Sequence, residues 1–123
     1  MDIEDYNRRW LQAWTDKDVA RLARFYAPDV VYRDPQIPAG LSGLDALTAY
    51  LDGLFKATPP VRYTPDEVWK TPTGFCARWY AVMDAPGGPV HLRGFDLAVL
   101  EGDRIVLNEV YTHALPQAPG PAA

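Results

Sequence analysis

Before Val61, apolar positions recur at steps of three and four; from Val61 onward they alternate. In the first segment Ile3, Tyr6, Trp10, Ala13 and Trp14 share one face, which predicts an amphipathic helix with an aromatic stripe over Ile3–Trp14. The run Thr15-Asp16-Lys17-Asp18 offers capping side chains for a second helix. Its stripe is Val19, Leu22, Phe25 and Tyr26, and Pro28 is expected to stop it. Val30–Asp34 reads as a short strand, and Pro35 with Pro38-Ala39-Gly40 as a loop. A third helix is expected to start at Ser42, carry Leu44, Leu47, Leu51, Leu54 and Phe55 inward, and end at Pro59-Pro60.

The alternating part predicts four strands, Val61–Trp69, Phe75–Met83, Val90–Leu100 and Arg104–His113. Thr71-Pro72-Thr73-Gly74, Ala85-Pro86-Gly87-Gly88-Pro89 and Glu101-Gly102-Asp103 separate them as hairpin turns, giving an antiparallel meander. Pro65 marks the first of these as an edge or bulged strand. Helices against one face of a curved antiparallel sheet make an α+β fold. One domain over residues 1–115 is expected, with a disordered Pro/Ala/Gly-rich tail over 116–123. On the sheet's other face, Phe95, Leu97, Val99, Ile105, Leu107 and Tyr111 are too apolar for water, so a homodimer is expected.

Composition narrows the partners. At 123 residues, 48% hydrophobic and 23% charged, the chain suits one globular domain. A net charge of −4 without a basic run argues against nucleic acid or an anionic membrane surface. The acidic start, Met1-Asp2-Ile3-Glu4-Asp5, is unlike a signal peptide, no apolar run approaches a membrane span, and the cytoplasm is the expected location. The lone Cys76 excludes an internal disulfide. No metal, phosphate-loop or nucleophile-elbow pattern stands out, so no cofactor is expected.

The candidate chemistry is carboxylate chemistry. Asp34 ends a strand in phase with Val30 and Tyr32; Asp96 lies mid-strand in phase with Leu92, Gly94, Ala98 and Leu100. A carboxylate on an apolar face must find a partner, take up a proton or line a cavity. Two plainer readings remain open here. Asp34 could simply start a turn before Pro35, and the Asp96 face could be the solvent face. Asn108 and Thr112, in phase with Val106 and Val110, could line the same pocket. His91 and His113 read as surface or rim groups, and Trp14, Trp69 and Trp79 mostly as core. Arg93 and Asp96, three apart on one strand, should point to opposite faces.

Phe25 through Pro35 resembles the segment of the ketosteroid isomerase and SnoaL-like cyclase branch of the nuclear transport factor 2-like superfamily that ends in Asp-Pro. Gly94 through Val106 is similar to that branch's penultimate strand and hairpin, and Gly43 through Phe55 to its third helix. The resemblance runs from about Trp10 to Thr112 and implies a cone-shaped α+β fold around a pocket for an apolar small molecule. It further implies cofactor-free proton transfer next to a carbonyl, as an isomerase or an aldol cyclase, with Asp34 as general base and Asp96 as a protonated donor. A binding or assembly module with the same pocket is the alternative. Trp10 stands where the branch carries its oxyanion-hole tyrosine; Tyr26 matches a supporting tyrosine, and Tyr32 or Tyr111 could fill the vacant role.

Overall fold

The computed structural model describes residues 1–116; the expected disordered tail, from Gln117 on, lies outside the described residues. Helix α1 spans Ile3–Thr15, capped by Asp2, whose carboxylate accepts the Asp5 N–H at 3.0 Å. It buries Tyr6, Trp10, Ala13 and Trp14 of the expected stripe together with Asn7 and Leu11, while Ile3 is half-buried. Lys17 then turns the chain with a left-handed φ of 52°, and Asp18 caps the short α2, Val19–Ala23.

Several expectations are corrected here, among them the start of the third helix at Ser42. Helix α2 ends at Ala23, and Phe25-Tyr26 do not belong to it: strand β1 already runs over Tyr26–Asp34. Pro28 therefore sits inside a strand, where the register of β1 shifts between Tyr26 and Val31 and the ladder has a gap for a residue without N–H. The expected loop after Asp34 is an edge strand, β2, Ile37–Ser42, hairpinned onto β1. Its outer side has no neighbour to bond, so Pro38 costs the ladder nothing. Ser42 ends β2, and Gly43, with φ 93°, leads into α3, Leu44–Ala57.

Strands β3 (Val61–Thr71), β4 (Gly74–Ala85), β5 (Gly88–Glu101) and β6 (Arg104–Ala114) form the antiparallel meander. One curved, unclosed sheet results, in the order β2-β1-β6-β5-β4-β3, with β1 parallel to β6 and every other pair antiparallel. Strand β3 is an edge, and its register shifts between Pro65 and Val68, so Pro65 is both edge and bulge. Helices α1 and α3 cover the concave face, where Trp10, Tyr26, Tyr32, Leu47, Leu51 and Phe75 are buried. On the opposite face Trp69, Phe95 and Tyr111 are exposed. Ile105, expected beside them, is instead fully buried, because a bulge at Val99/Leu100 breaks the alternation and the Ile105 N–H bonds the Phe25 carbonyl at 2.7 Å. Among the described residues no helix is long and apolar enough to cross a membrane.

Candidate active site

Between the helices and the concave face lies a cavity of about 200 Å³ whose wall includes both Asp34 and Asp96. Mostly apolar side chains surround them, among them Leu11, Trp14, Leu54, Val61, Leu92 and Val110. Tyr32 and Thr112 also line it. The outward phase of β5 carries Arg93, exposed and donating to His113 at 3.2 Å, so Arg93 and Asp96 do part to opposite faces.

Asp34 is held at the β1–β2 turn by four donors. The N–H groups of Gln36 and Ile37 reach Oδ1 at 2.8 and 3.2 Å, and the hydroxyls of Tyr32 and Tyr50 reach Oδ2 at 3.0 and 2.7 Å. Turn chemistry and cavity wall are thus one arrangement: one oxygen closes the turn, the other faces the tyrosines. A carboxylate offers about four acceptor positions, and all are used.

Asp96 is buried more completely and bonded more sparsely. The Trp79 indole N–H reaches Oδ2 at 2.7 Å, and the Asn108 amide reaches Oδ1 at 3.3 Å. Burial pushes the Asp96 carboxyl up to about 7, although both N–H donors pull it the other way. Gly94 makes the indole contact possible. It pairs with Trp79 across the β4–β5 ladder, and a Cβ there would overlap the indole ring.

Trp10, Tyr26 and Asn108 do not line the cavity; they stand behind it as a buried relay. The Trp10 indole donates to the Tyr26 hydroxyl at 3.2 Å, which donates to the Asn108 carbonyl oxygen at 3.0 Å. An indole N–H cannot accept, so the direction of the relay is fixed and the Asn108 amide is turned toward Asp96. Tyr111, considered for the oxyanion role, is 58% exposed on the convex face and donates to Glu109. Sequence reasoning missed Tyr50, Tyr63 and Lys17. Tyr50 belongs to the Leu47–Leu51–Leu54 face of α3 and Tyr63 is in phase with Val61, a signal that was legible. The Lys17 ammonium, beside the cavity, donates to the Phe55 and Thr58 carbonyls at 2.9 and 2.6 Å, which needs a fold to be seen.

A family model described as a SnoaL-like domain matches residues 7–108. The chain belongs to the SnoaL-like domain family. That membership agrees with the resemblance carried by Asp34-Pro35 and the Asp96 strand. No curated protein matches the chain. Among solved structures, a nuclear transport factor 2-like protein of unknown function from Burkholderia pseudomallei is similar, with TM-score 0.78, 19% identity and 89% of each chain covered. A putative SnoaL-like polyketide cyclase from Shewanella denitrificans has TM-score 0.76 and 13% identity, also over 89% of each chain. A Mycobacterium tuberculosis protein in complex with estradiol-17beta-hemisuccinate has TM-score 0.70 and 17% identity, covering 88% of this chain and 91% of that one. Identities this low establish a shared fold.

Proposed function

We propose that this SnoaL-like protein catalyses cofactor-free proton transfer at a carbon next to a carbonyl, on a compact apolar substrate held in the cavity. One observation carries the reading: two carboxylates in opposite environments share one apolar cavity. Proton abstraction needs an acceptor for the proton and a donor for the oxygen on which charge develops. Asp34, held on the cavity wall by four hydrogen bonds, is the acceptor; Asp96, whose carboxyl burial pushes up to about 7, is the donor. The C–H electron pair forms the carbon–carbon double bond of the enolate, the carbonyl π pair moves onto the oxygen facing Asp96, the proton moves to Asp34 Oδ2, and Tyr50 yields its place there. An isomerase returns that proton to another carbon, and an aldol cyclase spends the enolate on a second carbonyl. The similar structure holding an estradiol ester is consistent with an apolar, oxygen-bearing ligand.

The deciding experiment is hydrogen–deuterium exchange at the α-carbon of small cyclic ketones that bind the cavity. Asp34→Asn should keep the fold and the affinity while slowing exchange by about a hundred- to ten-thousand-fold. Undiminished exchange in that variant would sink the mechanism. The second reading, a ligand-binding module without turnover, is favoured by the full occupancy of the Asp34 acceptor positions. It predicts tight ketone binding with no exchange at all. For either reading we propose a homodimer through the convex face, where Trp69 and Phe95 pack 6.0 Å apart beside Tyr111, these three being 40%, 38% and 58% exposed. Light scattering should give twice the chain mass at micromolar protein, and Phe95→Glu should halve it.

A further inference from the structure

We propose that the Tyr63 hydroxyl is the second donor to the substrate oxygen, beside Asp96, and does the work for which Trp10 is out of reach. The assignment rests on the proton-transfer reading, and it comes from following where the hydroxyls, the lysine and the Trp79 indole of the cavity wall donate. Tyr32 gives its hydroxyl proton to Asp34 at 3.0 Å, Thr58 to the Leu54 carbonyl at 2.9 Å, and Thr112 to the Arg93 carbonyl at 3.3 Å. The Trp79 N–H is committed to Asp96, and the Lys17 ammonium to Phe55 and to Thr58. Gln36 is exposed and marks the rim. Tyr63 alone among the hydroxyls lining the cavity donates to no group among the described residues.

That hydroxyl is held in place, although no group among the described residues satisfies it. The Tyr63 N–H bonds Thr15 Oγ1 at 3.0 Å, tying β3 to the end of α1. The ring meets the Trp79 indole edge-on at 4.9 Å and the Trp14 indole at 6.3 Å. Because Trp79 also bonds Asp96, Tyr63 and Asp96 flank the same indole. Burial and then the Asp96 charge raise the Tyr63 hydroxyl above its ordinary range, so it keeps its proton and can only lend it in a hydrogen bond. Orienting a phenol and leaving it unpaired is what a site for an oxygen ligand requires. Trp10, fully behind the wall and bonded to Tyr26, has no donor left for the cavity.

The test uses the full chain and two probes of nearly equal shape, 2-naphthol and naphthalene. Tyr63→Phe removes one oxygen that donates to no group among the described residues, so the fold should stay intact by circular dichroism. Naphthol affinity should fall about ten-fold, as expected for one lost hydrogen bond, while naphthalene affinity is unchanged. Exchange at a bound cyclic ketone should slow about a hundred-fold, the usual loss for one donor to a developing oxyanion. Equal naphthol affinity in wild type and Tyr63→Phe would overturn the assignment whatever the turnover. Should wild type bind ketones without exchange, the proton-transfer reading fails on its own. A naphthol-specific loss in Tyr63→Phe would then still support Tyr63 as the ligand's donor.

Discussion

Two aspartates on one cavity wall meet different fates. Asp34 is 9% exposed and saturated with donors from its own turn and from two tyrosines. Asp96 is 3% exposed, mid-strand, and receives two N–H groups from side chains brought in by other strands. The Asp96 carboxyl is pushed up to about 7, with desolvation as the leading cause and its two N–H donors pulling the other way. Burial alone therefore does not set the chemistry of a carboxylate. What matters is how many donors replace the lost water and whether the local backbone supplies them.

The largest effect that could break this contrast is on the rate. If Asp96 is the donor, exchange should fall as pH rises through about 7, because the donor loses its proton there. A rate that climbs through pH 7 would exchange the two roles and make Asp96 the base. Asp96→Asn should keep part of the rate, since an amide still donates, whereas Asp96→Ala should lose about a hundred-fold or more.

Stability comes next. The folded state holds the Asp96 proton up to about pH 7, while an unfolded aspartate releases it near 4. The folded state therefore binds more protons in this window, and stability falls as pH rises from about 4 to 7. The loss approaches roughly 1.4 kcal/mol per unit, about 4 kcal/mol in all, and ends above the folded value. Urea titrations across this window should show the decline in wild type and a flatter profile in Asp96→Asn. An equally steep profile in the variant would place the proton elsewhere.

Gly94→Ala probes the same site through packing. A methyl group there collides with the Trp79 ring and must push its N–H away from Asp96. A cost of about 1–3 kcal/mol is expected from overpacking, with a change in tryptophan fluorescence. Smallest is the relay: Trp10→Phe removes the donor to Tyr26 and should cost about 1 kcal/mol in thermal or urea unfolding. A loss no larger than that of Trp69→Phe on the convex face would mean that the relay does not orient Asn108.

Much of this was legible in the chain. The helical stripes of α1 and α3 and the four meander strands follow from periodicity, because each element buries one face, whereas the inward phase of Asp34 and Asp96 was favoured by the family resemblance and left open by periodicity. The start of β1 and the existence of β2 did not, because Pro28 and Pro38 read as breakers. They are tolerated only where a register shift and an outer edge leave no ladder bond to lose. Ile105 was misplaced for a related reason: one bulge inverts the alternation from which faces are read.

By itself, the sequence determined the helical stripes, the meander strands, the α+β class, the family resemblance and the two candidate carboxylates, since periods and short motifs act over a few residues. Only the tertiary structure decided what each carboxylate meets. Trp79 lies 17 residues from Asp96, Asn108 lies 12, and Tyr50 lies 16 from Asp34. Such partners are selected by strand register, by the space that Gly94 leaves, and by the curvature that brings β3 and its unpaired Tyr63 hydroxyl to the cavity wall. Hydrogen bonds and desolvation act over a few ångströms in space, so distance along the chain does not foretell them.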